Sequence, residues 1–307
     1  MSGRCEHAIL LVGHGTRQAS GTAEFFQFSE LLAKTLPAGC LVRPCLLEFQ
    51  SPTIAEAWRS LIEVQPRRVT VAPLLLFAAG HAKSDIPDEI SRAAQQFPLH
   101  ESPPIDFCPP ISRQAALIAA VRERLTETLE QVPNADGRGP IDSGGRASRD
   151  VDALQSLDDV APPSHRNRTD GVTAVVMVGR GSRDACATSD MRVLSEVALF
   201  GRSKNDPSLA RQFEIDRDAV QTTFYAMAEP RLTQTLQQVA GSGRIDRVVV
   251  YPHLLFSGRL NDAIRRQVAE AAEQFPEIAF QVGDYLGPTK RVAEAVAARI
   301  LGDRRRF

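Results

Sequence analysis

The chain has 307 residues, 43% of them hydrophobic, and 36 Lys and Arg against 37 Asp and Glu give it a formal net charge of −1. That length allows two ordinary domains, each able to bury its own core, and the balanced charge excludes a global electrostatic footprint for nucleic acid or an anionic membrane surface. The five cysteines, Cys5, Cys40, Cys45, Cys108 and Cys186, are scattered without a Cys-x-x-Cys pair, which argues against a disulfide framework or a thiolate zinc site and fits a reducing cytoplasm.

The amino terminus lacks the pattern of a secretory signal, and no apolar run approaches the roughly 20 residues that span a bilayer. A soluble cytoplasmic protein with small-molecule partners is expected. Ala8 to Val12 reads as a buried parallel strand closed by Gly13-His14-Gly15, delivering an imidazole to the strand's carboxyl end, where open α/β sheets bind ligands. Phe25, Phe28, Leu31, Leu32 and Leu36 recur at helical spacing over Glu24 to Leu36, and Pro37 stops the helix. Cys40 to Phe49 is the next strand, with Glu48 near its carboxyl end. Ser51-Pro52 is expected to open a helix through Ile62, with the proline in the first turn.

The stretch Arg68 to His81 repeats the first design, an apolar strand, a small-residue turn and a histidine. A helix over Ile86 to Phe97, a short strand over Pro104 to Cys108 and a helix over Ile111 to Leu129 follow. Alternating strands and helices predict a parallel sheet covered on both faces.

Residues 133–171 are rich in Pro, Gly, Ser, Asp and Arg and lose apolar periodicity, so they read as a flexible linker. At Val172 the pattern restarts. Val178-Gly179-Arg180-Gly181-Ser182-Arg183 lies over Val12-Gly13-His14-Gly15-Thr16-Arg17, and Arg247 to Arg259 lies over Arg68 to His81 with one residue fewer in the turn. The expected fold class is therefore α/β, two similar doubly wound parallel-sheet domains related by internal duplication. Residues 1–132 form the first domain and 172–307 the second. Such a chain is a pseudo-dimer in itself, so a monomer is expected.

The duplication supplies an internal control. Arg180 stands opposite His14, Arg259 opposite His81 and, with Pro230 aligned on Pro52, Ala226 opposite Glu48. Three groups able to bind a metal or move a proton are missing together from the second half. Two imidazoles and a carboxylate suit a divalent first-row metal such as cobalt, iron, nickel or zinc, and a histidine ring can equally accept a proton near neutrality. Arg180, Arg183 and Arg259 offer planar forks for carboxylates, or are solvated loop charges. His253, beside Pro252 in an apolar strand, reads as a core histidine whose hydrogen bonds are satisfied.

The Val-Gly-His-Gly-Thr-Arg turn, Leu47-Glu48-Phe49 followed by Ser51-Pro52, and the run Pro73 to Pro87 together resemble the sirohydrochlorin chelatases of the CbiX/SirB type, in the long, internally duplicated form. The resemblance covers nearly everything outside the linker and implies insertion of a divalent metal into the tetrapyrrole sirohydrochlorin. It makes His14 and His81 the catalytic and metal-binding pair and Glu48 their acidic partner. It sets the turn Leu76, Phe77, Ala78, Ala79 and Gly80 against the macrocycle, with Phe256 as a further apolar wall. Arg17, Lys83, Arg180 and Arg259 become candidates for the ring's acetates and propionates. The metal, Co2+ or Fe2+ with Ni2+ possible, is a substrate, and no organic cofactor is implied. Cobalt would feed cobalamin synthesis and iron siroheme.

Two other classes compete. A histidine phosphatase has an arginine before its strand-end histidine, but here that position is Gly13, and no glycine-rich phosphate fingerprint is present. A non-catalytic metal or tetrapyrrole carrier on the same fold is the stronger rival. Turnover separates it from an enzyme.

Overall fold

The computed structural model describes residues 5–77, 84–96, 103–112, 114–131, 171–203, 206 and 208–302. Of the linker read at 133–171, residues 133–170 lie outside the described residues, as do the functional candidates Ala78, Ala79, Gly80, His81 and Lys83.

Apolar runs become strands. The first sheet comprises β1 (His7–Gly13), β2 (Cys40–Leu46), β3 (Val69–Pro73) and β4 (Ile105–Phe107). The second comprises β5 (Thr173–Gly179), β6 (Val220–Phe224), β7 (Arg247–Pro252) and β8 (Ala279–Val282). The orders are β2-β1-β3-β4 and β6-β5-β7-β8, and every pairing is parallel. In each sheet the chain steps outward from the first strand and then back past it. The strand order thus reverses beside β1 and β3, and again beside β5 and β7, leaving a crevice at their carboxyl ends.

Helices α1 (Ala19–Thr35), α2 (Ile54–Ile62), α3 (Ile86–Gln96) and α4 (Ala115–Glu130) belong to the first half. The second contributes α5 (Ala185–Phe200), the single turn α6 (Leu209–Gln212), α7 (Leu232–Ala240), α8 (Arg259–Gln274) and α9 (Lys290–Ile300). Pro52 does not occupy the first turn of α2 as expected. Thr53 is the N-cap, accepting from the Glu56 amide while the Glu56 carboxylate accepts from the Thr53 amide at 2.7 Å. The reciprocal box satisfies two otherwise orphaned donors and leaves the proline outside the helix.

Alternation along β1 divides its side chains between two cores. Ala8, Leu10 and Val12 meet Trp58, Leu61 and Ile90 under α2 and α3, whereas Ile9 and Leu11 join an apolar core that runs without a break into the second half. Helix α9 packs on both α1 and α4. Arg247, at the start of β7, donates to the carbonyls of Thr128, Leu129 and Gln131 at 2.9–3.1 Å. Glu24 of α1 accepts from the Ser257 amide at 2.7 Å and the Tyr285 hydroxyl at 2.5 Å. Burial, reinforced by the Glu24 carboxylate, pushes the Tyr285 hydroxyl up to about 12. The close approach needs a glycine, because a Cβ on Gly21 would sit 2.5 Å from the Ser257 carbonyl oxygen.

Candidate active site

A cleft of about 740 Å³ opens between the carboxyl ends of the two sheets. Its first-half wall includes His14, Gly15, Leu76 and Phe77, and its second-half wall includes Arg180, Arg183, His253, Phe256 and Arg259. The volume suits a large organic ligand.

His14 is placed by the turn after β1. Its carbonyl accepts from the Glu48 amide at 3.1 Å, and its Nδ1 lies 3.3 Å from the Gly15 carbonyl oxygen. Gly15 has φ +91°, and a Cβ there would lie 2.1 Å from the Glu48 carbonyl oxygen. Only glycine lets the histidine turn and the Glu48 backbone touch. The second half keeps this frame, with Gly181 at φ +91° and the Ala226 amide donating to the Arg180 carbonyl at 2.9 Å. Arg180 therefore occupies the His14 position and Ala226 the Glu48 position, as the alignment on the prolines implies.

Phe49, which the sequence did not single out, stacks its ring on His14 with centroids 6.5 Å apart and planes at 21°. The Arg17 guanidinium lies over the other aromatic partner, 5.0 Å from the Phe49 centroid, a cation–π arrangement. Phe49 is 52% exposed and has φ +72°. Its counterpart Met227 has φ +60°, so this backbone conformation belongs to the duplicated turn and not to chemistry at His14. Glu48 and Arg17 stand beside His14, outside the residues that line the cleft.

The opposite wall is apolar at its base. Phe256 meets Phe25 nearly edge on at 6.4 Å and Phe28 at 6.0 Å. His253 is 1% exposed and lies 5.5 Å from Phe77 and 6.0 Å from Tyr251, ring centroid to ring centroid. It is buried as expected, yet its hydrogen bonds are not satisfied: among the described residues neither ring nitrogen has a partner. Leaving such a group unpaired costs roughly 1–3 kcal/mol. Burial lowers its pKa from 6.5 to about 3, so the ring is neutral near neutral pH. The thiols of Cys45 and Cys108 are raised by burial, the latter to about 11, which keeps both protonated and unreactive.

The CbiX family model matches residues 8–128 and again 174–302. The chain belongs to the CbiX family. It is 28% identical over 280 residues to the sirohydrochlorin ferrochelatase of Priestia megaterium, covering 91% of this chain and 84% of that one. It is 24% identical over 287 residues to the sirohydrochlorin cobaltochelatase of the same organism, covering 94% and 76%. The structure of SirB from Bacillus subtilis with Fe3+ superposes with a TM-score of 0.70 at 23% identity, over 96% of this chain and 94% of that one, and shows a shared fold.

In this CbiX-family chain, the sequence-derived candidates His14, Leu76, Phe77, Arg180 and Arg259 meet around one cleft. Among the described residues no three His, Cys, Asp or Glu side chains converge as metal ligands. Also among the described residues, no helix is long and apolar enough to cross a membrane. Sequence reasoning missed Phe49 and Glu24. The signal for Phe49 was its place one residue beyond Glu48, whereas Glu24 gave none, because its partners come from the other half.

Proposed function

We propose that the chain is a sirohydrochlorin chelatase that inserts Co2+ or Fe2+ into the tetrapyrrole, with the metal as substrate. The carrying observation is the asymmetry of a single cleft, with His14 on one wall and Arg180, Arg183 and Arg259 on the other. The names of the full-length relatives support the same substrate.

Insertion exchanges two pyrrole protons for one divalent ion. In this reading His14 and His81 hold the incoming ion or take a proton, and Glu48 is the second acceptor. The turn Leu76 to Gly80 bears on the macrocycle, while Arg17, Lys83, Arg180 and Arg259 pair with its carboxylates. Catalysis then belongs to residues 1–132, residues 172–307 form the facing wall, and 133–171 are a spacer. Retention of a histidine in only one of two otherwise matching turns favours an enzyme with one active site per chain over a carrier.

The test follows visible absorption when protein is mixed anaerobically with sirohydrochlorin and, separately, Co2+, Fe2+ or Ni2+. Wild type is expected to complete many turnovers with cobalt or iron, and His14→Ala to lose at least about 100-fold in rate. Stoichiometric binding with no rate above the protein-free control would leave a carrier.

A further inference from the structure

Glu24 takes no part in the chemistry above, yet its carboxylate belongs to one half and grips the cleft wall of the other. One oxygen accepts from the Ser257 amide at 2.7 Å and the second from the Tyr285 hydroxyl at 2.5 Å. Ser257 lies between Phe256 and Arg259, all three of them lining the cleft, and Arg259 is the first residue of α8. Gly258, the N-cap of that helix, has no side chain with which to fix its start. Helix α1 fixes it from outside. Gln18 at the N-cap of α1 and Gly21 and Glu24 within it recur every three residues, which brings them to one side of the helix. Gln18 donates to Asp262, in the first turn of α8, at 3.1 Å, and Gly21 lies against the Ser257 carbonyl. Both backbone groups of Ser257 are thereby held by the helix that follows the His14 turn.

Hydrogen bonds to an ionised acceptor are shorter and stronger than neutral ones, so a carboxylate is the group of choice for holding a turn. The device is duplicated. Asp190 of α5, at the place matching Glu24, accepts from the Ser112 hydroxyl at 3.3 Å, so each half lends the other an acid from the helix after its first strand. What Glu24 holds carries a charge into the cleft. Arg259 is exposed, and a long exposed side chain loses rotamer freedom when it pairs with a ligand. A root already fixed by hydrogen bonds lowers the ordering still needed, and a displaced root takes the guanidinium fork out of line with its carboxylate. We infer that Glu24 is a positioning residue for substrate binding, its two hydrogen bonds holding the turn 256–259 so that the Arg259 guanidinium meets a carboxylate of the bound tetrapyrrole. This rests on the chelatase reading. The half that carries His14 then also aligns the wall that faces it.

The test is a double-mutant cycle on the binding of metal-free sirohydrochlorin, followed by fluorescence, for wild type, Glu24→Ala, Arg259→Ala and the double variant, with thermal melting as the check on folding. Glu24→Ala is expected to weaken binding about fivefold and Arg259→Ala by at least as much, since the second loses the charge-assisted pair and the first only its alignment. The double variant should bind within about twofold of Arg259→Ala, because no arginine is left to position. Glu24→Gln keeps one acceptor oxygen and Tyr285→Phe leaves the Ser257 bond in place, so both should fall between wild type and Glu24→Ala. The same loss from Glu24→Ala with and without Arg259 would make Glu24 a general tie between the halves and overturn the inference. Wild-type affinity in either single variant overturns it as well. If Glu24→Ala fails to fold, Glu24→Gln and Tyr285→Phe carry the same cycle against Arg259→Ala. Failure of wild type to bind sirohydrochlorin removes the chelatase reading and this role together, an outcome distinct from wild-type binding that the variants leave intact.

Discussion

A neutral imidazole sealed inside a fold resists protonation that the unfolded chain accepts freely. His253 is held at about 3 by burial, against 6.5 for an unperturbed histidine. Between those values the unfolded state binds one more proton than the folded state, so stability falls as pH drops through that window. The slope is about 1.4 kcal/mol per pH unit, or roughly 2 kcal/mol lost between pH 6.5 and 5 from this group. We expect His253→Leu to flatten the acid side of the stability curve by that amount, measured by urea unfolding at pH 7, 6 and 5. Equal slopes in the two proteins would show that the native site takes up a proton at little cost. The burial of His253 was legible in the run Val248 to Tyr251 that precedes it. Its lack of a partner was not, because hydrogen bonding depends on neighbours from other elements. His14 was legible for the opposite reason: the glycines that force its turn are adjacent in the chain.

Strands were the easiest elements to read, since burial on both faces of a parallel sheet leaves uninterrupted apolar runs. Helix starts were harder. The periodicity placed the first helix at Glu24, but α1 begins at Ala19, before the large apolar residues that reveal its period. The last turn of α4 has no basic residue of its own. Arg247, 117 residues beyond the end of that helix at Glu130, supplies the positive charge by donating to carbonyls at its carboxyl end. Such a charge stabilises the helix terminus and ties the halves together. Arg247→Met keeps the apolar stem and removes the donors, so we expect a loss of about 2 kcal/mol in unfolding free energy. Arg291→Met breaks the exposed pair with Glu123 at 2.8 Å and should cost less than about 1 kcal/mol. Comparable losses in the two variants would show that the Arg247 carbonyl contacts carry no special weight in joining the halves.

The duplication was legible because two short turns recur with their flanking strands, and the structure keeps both frames down to the same backbone hydrogen bonds. The packing of α9 onto α1 and α4 was not. Apolar stripes show that a helix is buried without naming what buries it. That packing sets the two carboxyl-end turns face to face, so where the first half directs His14 to the cleft the second directs Arg180 to it. Duplication followed by divergence then yields one site with two unlike walls. If the second wall serves to hold the ligand's carboxylates, its arginines should affect binding much more than chemistry. Arg180→Ala and Arg259→Ala are each expected to raise KM for sirohydrochlorin several-fold, and the double variant to raise it by about the product if the two sites act independently. Turnover at saturating substrate should change little if, as proposed, the metal and proton steps fall to residues of the first half. Salt adds a second signature. Screening by 0.5 M NaCl should raise KM in wild type and have a smaller effect in the double variant, which has already lost the charges being screened. A fall in kcat with unchanged KM would move these arginines from ligand recognition into the reaction, and unchanged kinetics at both salt concentrations would leave them as solvated loop charges.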